Sequence, residues 1–233
     1  DPEHLENMLK KERERFKEAL IITESVFSMD GDRAPLKELV ELKEEYGCRM
    51  MVDEAHATGI FGARGSGLVE EDGLEERVDL VMGTFGKALG GFGAYLASTK
   101  EVIEYLINFC RSFIYSTALP PSTVAVDRAS VEIIKEEPWR RKVLLENAAY
   151  LRGELSRSGL KVGGSSQIIP LIVGDKEAAE GLSGSLKNAG YWALPIRPPT
   201  VPEGGSRIRL SLTYNHTKDI LKGLADEIRA FYE

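Results

Sequence analysis

The sequence predicts an α/β protein, with a mostly parallel sheet carrying helices on its faces followed by a smaller α+β unit. Three observations lead there. Short apolar runs of strand length alternate with amphipathic stretches of helical period through the first half of the chain. Two helical stretches then follow without an intervening strand, and beyond them strands and helices resume on a smaller scale. Finally, 233 residues with 42% apolar content are enough to bury a sizeable core.

In chain order, Leu5, Met8, Leu9 and Phe16 space a first amphipathic helix, and residues 19–26 read as a buried strand. A turn is expected over 28–32. Pro35 opens a second helix whose apolar positions are Leu36, Leu39, Val40 and Leu42, and Gly47 ends it before the strand that reaches Asp53. Residues 78–82 and 94–97 are further strands, and Ser98 with Glu101 has the spacing of a capping box opening a helix through Phe109. Helices are expected over 121–135 and 138–157, the second carrying Val143, Leu144, Leu151 and Leu155. Strands over 168–173, 194–197 and 208–212 and helices over 176–189 and 217–232 complete the pattern. The expected division is residues 1–132, part of a large domain, and residues 133–233, a small α+β domain.

Composition narrows the functional classes. Thirty basic against 37 acidic residues give a net charge of −7, which argues against a phosphate-backbone partner and so against nucleic acid. No apolar stretch approaches the length of a membrane span, and the acidic start Asp1-Pro2-Glu3-His4 is unlike a signal peptide, so a cytoplasmic location is expected. Cys48 and Cys110 form no Cys-x-x-Cys pair, and three histidines are too few to suggest a metal site. Both cysteines read as small core residues in a reducing compartment.

Two segments carry the chemistry. Met50-Met51-Val52-Asp53-Glu54-Ala55-His56 is an apolar strand ending in a carboxylate, and Gly83-Thr84-Phe85-Gly86-Lys87-Ala88-Leu89-Gly90-Gly91 sets one lysine among small residues. Pyridoxal phosphate (PLP) needs such a pair, an amine for its carbonyl and an anion that keeps its ring nitrogen protonated. Lysine can bond the carbonyl, be displaced by a substrate amine and then act as a base. Thr84 can donate its hydroxyl to a phosphate. In open sheets of this kind ligand sites lie beyond the carboxyl ends of the strands, where Ser28, Asp53, His56 and Thr84 all fall. Simpler readings stand beside these: Asp53 as a turn or cap residue, Lys87 as a solvated loop lysine, and His56 as a buried histidine bonded to backbone. Arg209 can grip a carboxylate with two parallel bonds, and Arg207 alternates to the same face; alternatively both are surface charges on an edge strand. Ser116 and Thr117 could be a cap before Pro120, and Arg197 and Thr200 could be turn residues only.

Five motifs in order give the chain a family likeness: residues 23–32, 53–56, 84–87, 114–117 and 196–202. Together they resemble the α-oxoamine synthases, enzymes of the aspartate-aminotransferase-like fold (PLP fold type I). The resemblance implies PLP as cofactor, with Asp53 on the ring nitrogen, His56 and Ser28 at the ring hydroxyl, Lys87 as the cofactor lysine and Thr84 near the phosphate. It implies that Ser116 and Thr117 reach the phosphate of a neighbouring subunit, hence a homodimer with shared sites. Arg209 would hold the amino-acid carboxylate, with Arg197 and Thr200 also on the substrate side. The reaction implied is decarboxylating condensation of an amino acid with an acyl thioester carried by coenzyme A or a carrier protein. Residues 196–202 and 207–210 look most like the members that join alanine to a pimeloyl thioester in biotin synthesis, while residues 83–91 lean toward the glycine acetyltransferases.

The family's glycine-rich phosphate loop and its ring-stacking residue have no counterpart in the sequence. It therefore reads as the C-terminal part of a subunit, expected not to catalyse the condensation alone. Three other classes compete. Val52 to His56 also spells the acidic box of DEAH helicases, but Gly86-Lys87 lies downstream of it and precedes Ala88, where a phosphate loop should lie upstream and end in Ser or Thr. An aminotransferase on the same fold and a non-catalytic dimerisation module are the remaining two.

Overall fold

A computed structural model describes residues 1–232 and divides them into two compact units. The first comprises Asp1–Val26 and Ala34–Pro138; the second comprises Phe27–Arg33 and the chain from Trp139 onward.

In the first unit, α1 (Pro2–Glu12) is capped by Asp1, whose side chain accepts from His4 N. It buries only Leu9; Met8 is exposed and Phe16, also exposed, lies beyond the helix end. Then follow β1 (Leu20–Glu24), α2 (Leu36–Glu45), β2 (Arg49–Asp53), α3 (Leu68–Glu71), β3 (Leu80–Thr84) and β4 (Ala94–Ala97). Helices α4 (Lys100–Phe109), α5 (Arg111–Ile114) and α6 (Pro121–Glu136) complete the unit. The strands lie in the order β1-β2-β3-β4; β1, β2 and β3 run parallel and β4 is antiparallel to β3. This is the mostly parallel sheet expected. Met50 and Val52 on β2, Leu36 and Val40 on α2, and Phe61 and Leu68 form its core. The short helices α3 and α5 are too brief to leave a periodic signal in sequence.

Two local expectations need correction. Ser98 is not the cap of α4: the cap is Thr99, and the Ser98 hydroxyl donates to Asp79 O at 2.6 Å. Cys48 is buried as expected, but Cys110 stands at the break between α4 and α5 and is only half-buried.

Glu54 sits just past β2 with no exposed surface. Its carboxylate accepts from Ser25 Oγ at 2.5 Å and from Val69 N at 2.7 Å, so one side chain ties the end of β1, the end of β2 and the start of α3. Gly67, at φ +131°, is required beside it, because a side chain there would be strained and would overlap the Glu54 carboxylate. Burial raises the Glu54 pKa above its ordinary 4.5, despite the hydrogen bonds that oppose the shift.

The second unit contains α7 (Trp139–Arg157), β5 (Ile168–Gly174), α8 (Lys176–Asn188), β6 (Leu194–Ile196), β7 (Ser206–Ser211) and α9 (Lys218–Tyr232). Its sheet has the order β5-β7-β6 and is antiparallel throughout. Leu151 and Leu155 of α7, Leu182 and Leu186 of α8, and Leu221 and Ile228 of α9 pack with Ile168, Ile169, Leu171 and Ile208 as the core. Segment 27–33 belongs here: Gly31 O accepts from Ser165 N at 2.8 Å and from Ser166 Oγ at 2.7 Å. No helix among the described residues is long and apolar enough to cross a membrane.

The Glu54 hub yields two expected outcomes. Glu54→Ala leaves Ser25 Oγ and Val69 N without their acceptor and opens a void, so urea denaturation should show a loss of about 3–5 kcal/mol. The pH dependence has a definite sign, because the folded state holds the Glu54 proton more tightly than the unfolded chain does. That contribution is full below the unfolded value and is lost as pH rises from about 4.5 through the raised folded value. Glu54→Gln cannot titrate, so its stability should gain on the unchanged chain across that window; a gap constant with pH would contradict the shift.

Candidate active site

Parallel register sets the first half of the site. Glu24 pairs with Asp53 and Asp53 with Met82, so Asp53 and Thr84 both stand at carboxyl ends of neighbouring parallel strands. The ladder continues past the strands through Ser25 N to Asp53 O at 2.9 Å and Glu54 N to Met82 O at 2.7 Å. Asp53 is half-buried, and its Oδ1 accepts from Ala55 N at 2.8 Å, which fixes the carboxylate at the strand end. His56 lies half-buried in the turn that follows, closed by Ala57 N and Thr58 N donating to Glu54 O. Lys87 is exposed on the loop between β3 and β4, which is closed by Gly90 N to Lys87 O at 3.1 Å and Gly91 N to Phe85 O at 2.8 Å. Thus Asp53, His56, Thr84 and Lys87 are brought to one end of one sheet. Ser116 and Thr117 follow α5, both exposed, with the Ser116 hydroxyl donating to Ser112 O.

The second unit holds the other residues. Arg209 lies on β7, the middle strand of its sheet and not an edge strand. Its Nε donates to Ser28 O at 2.6 Å and its Nη1 to Ser211 Oγ at 2.7 Å, and burial lowers its pKa. Ser28 is half-buried. Arg207 also points to this segment, as the alternation of the strand requires: it is buried, ion-paired with Asp30 and hydrogen-bonded to Met29 O. The surface-charge reading therefore fails for Arg207. Arg197 and Thr200 lie apart from Ser28 and Arg209 in their contacts: Arg197 pairs with Glu180, and Thr200 N donates to Arg197 O at 3.0 Å in a turn.

Three groups escaped sequence reasoning. Glu54 looked like part of an acidic box, although an acid between an apolar strand and two alanines signals burial. Asp127 of α6, 6% exposed, accepts from Phe92 N beside the Lys87 loop. The spacing of Asp127, Val131 and Ile134 along α6 places that acid on an otherwise apolar stripe, which was the available signal. Tyr95, third, presents its hydroxyl to Thr58 Oγ1 at 3.0 Å and sets its ring edge-on to Phe85 at 5.5 Å. Behind this pair lies a cavity of about 970 Å³ lined by Val81, Phe85, Leu89, Tyr95, Val131 and Ile134 among others. None of Asp53, His56, Thr84 and Lys87 lines it.

Thr84 supplies the test of whether these residues fit PLP. Its Oγ1 is buried and has no hydrogen-bond partner among the described residues. Such an orphan costs roughly 1–3 kcal/mol, and a phosphate oxygen would satisfy it. With a carboxylate at the neighbouring strand end and a lysine three residues on, the residues present fit the cofactor.

The family model for aminotransferase class I and II matches residues 1–228. A protein of Halalkalibacterium halodurans is 51% identical over 222 residues, 94% of this chain and 56% of its own length. One of Bacillus cereus is 49% identical over 229 residues, 98% of this chain and 58% of its own. Both are named, provisionally, as 8-amino-7-oxononanoate synthases. The chain thus spans somewhat more than half the length of the curated relatives it matches. Among solved structures, serine palmitoyltransferase of Sphingomonas wittichii aligns with a TM-score of 0.94 at 33% identity, over 99% of this chain and 58% of that one. The 8-amino-7-oxononanoate synthase of Francisella tularensis aligns at 0.84 and 26% identity, over 97% and 65%. A further serine palmitoyltransferase structure carries PLP as an internal aldimine. The fold is PLP fold type I, as the sequence implied. The chain belongs to the aminotransferase class I and II family, on the side of its α-oxoamine synthases, and pyridoxal phosphate is the cofactor that goes with it.

Proposed function

We propose that this chain carries the lysine-bearing part of an α-oxoamine synthase site, in which an amino acid and an acyl thioester condense to an α-oxoamine, carbon dioxide and the free thiol. The observation that carries the reading is the buried, unpartnered Thr84 hydroxyl three residues before Lys87, at the same sheet end as Asp53. When bound, PLP supplies a carbonyl that takes up amines and a ring that withdraws electrons from the substrate Cα. Asp53 would keep positive charge on the ring nitrogen, and His56 and Ser28 would serve the ring hydroxyl. Thr84 would donate to the phosphate. Lys87 would hold the cofactor carbonyl through Nζ and, with a substrate amine bound, would take the Cα proton at that atom and later return one. Arg209 holds the substrate carboxylate; with Nε on Ser28 O and one N–H of Nη1 on Ser211, the second Nη1 N–H and Nη2 are the donor pair left to meet it. Arg197 and Thr200 belong to the substrate side in the same reading.

The substrates proposed are alanine and a pimeloyl thioester, on coenzyme A or a carrier protein, in a cytoplasmic step of biotin synthesis. The names of the matched relatives support that choice. The high structural similarity to serine palmitoyltransferase supports a second one, serine with a long-chain acyl thioester. Glycine with acetyl-CoA is a third. A homodimer completed by Ser116 and Thr117 of each copy, and a domain division at 132/133, belong to the same proposal. Assaying the whole protein with alanine, serine and glycine against acetyl, pimeloyl and palmitoyl thioesters decides among the pairs; turnover with none of them sinks the reading.

Three outcomes are expected. Borohydride reduction in the presence of PLP, followed by peptide mapping, should place the cofactor on Lys87; a labelled peptide without it removes the assignment. Asp53→Asn should still capture PLP yet lose most turnover, since a neutral amide cannot favour the protonated ring. Arg209→Lys should raise KM for the amino acid by on the order of tenfold or more while leaving the thioester KM nearly unchanged, because a point charge replaces a planar donor pair. An equal rise for both substrates would make Arg209 a support of the fold.

A further inference from the structure

We propose that Asp127 is a positioning residue for Lys87, acting through the backbone of the loop that carries it; this rests on reading Lys87 as the cofactor lysine. Lys87 itself is exposed, so whatever fixes its Cα must act on the flanks of the loop. On one flank Phe85 N donates to Gly93 O at 2.9 Å, and the Phe85 ring meets Tyr95. Leu89 is buried, and Ala88 lies so close to Gly59 that a side chain at Gly59 would press on it. On the other flank Asp127 Oδ1 accepts from Phe92 N at 3.2 Å. A side chain at Gly91 would overlap that same oxygen, so the loop backbone comes right up to the carboxylate.

Asp127 does not cap its own helix. It lies in the second turn of α6, beyond the reach of the first free amides, and its recorded partner is on another element. A buried carboxylate in an apolar stripe is costly unless hydrogen-bonded, so the Phe92 bond gives the acid a reason to be there. The consequence for Lys87 is geometric: with Phe85, Leu89 and Phe92 all held, few backbone conformations remain between them, and the amine samples a small volume over the strand ends. Misplacement of a reacting group by about 1 Å can cost on the order of 100-fold in rate.

The test compares Asp127→Ala with Asp127→Asn, which keeps an oxygen at Oδ1, by two readouts on the full chain. One is hydrogen exchange at the Phe92 amide; the other is the share of borohydride-trapped PLP found on Lys87 rather than on other lysines. Asp127→Ala should speed Phe92 exchange by about 10- to 100-fold, the range for losing one hydrogen bond to a charged acceptor, and should lower the Lys87 share severalfold. Asp127→Asn should restore both to within about threefold. Faster exchange with an unchanged Lys87 share makes Asp127 a fold residue only and overturns the proposal, as does unchanged exchange. Should Asp127→Ala not fold, Gly91→Ala replaces it, pushing the loop off Asp127 from the other side, with the same readouts and criteria. Trapping that avoids Lys87 in the unchanged chain overturns the reading of Lys87, and the positioning role with it, while the exchange result still reports on the Asp127–Phe92 bond.

Discussion

The buried carboxylate of Glu54 is the constraint on which the rest of the first unit depends. Parallel strands share no tight turn, so nothing local holds their carboxyl ends level. Here one side chain does it, accepting from Ser25 beyond β1 and from Val69 at the head of α3, while its own amide donates to Met82 O on β3. Asp53, His56 and Thr84 inherit their placement from that knot. An acid is suited to the task because it presents two acceptor oxygens and no donor to a place where only donors converge.

Much of the fold was legible in sequence because its signals are short-range. Short apolar runs marked the strands and period-3.6 patterns the long helices, and Pro35 and Gly47 bracketed α2. Boundaries were less legible. Ser98 carried the spacing of a cap, yet its hydroxyl was drawn to Asp79 O just ahead of β3, a tertiary contact that no local rule registers. The central position of β7 was hidden for a related reason: strand order is a property of pairing, and Arg207 and Arg209 would look the same on an edge.

The candidate site divides along similar lines. Asp53, Thr84 and Lys87 could be read because residue type and strand-end position suffice to suggest their chemistry. Glu54 and Asp127 could not, since both are acids whose meaning lies in which amide they face, and the facing amides are 15 and 35 positions away. Arg207 shows the opposite error: its kinship with Arg209 suggested a shared fate, whereas burial and the Asp30 ion pair give it to the packing of the second unit.

Segment 27–33 has a consequence for dissecting the protein. Because it packs with the second unit while lying between parts of the first, the chain passes from one unit to the other three times, at 26/27, 33/34 and 138/139. A single cut near Pro138 does not free a self-sufficient piece. A fragment starting at Trp139 would bury the Arg207 guanidinium without Asp30, leave Arg209 Nε without Ser28 O, and strip Gly31 O from the Ser165 and Ser166 donors. Asp30 is itself largely exposed while the Arg207 side chain is buried, so the loss falls on the arginine, which keeps its burial without the carboxylate that faces it. The two units are compact in space, but as polypeptides they are stitched together, and a circularly permuted or two-fragment version would have to keep residues 27–33 with the second unit to keep either arginine in place.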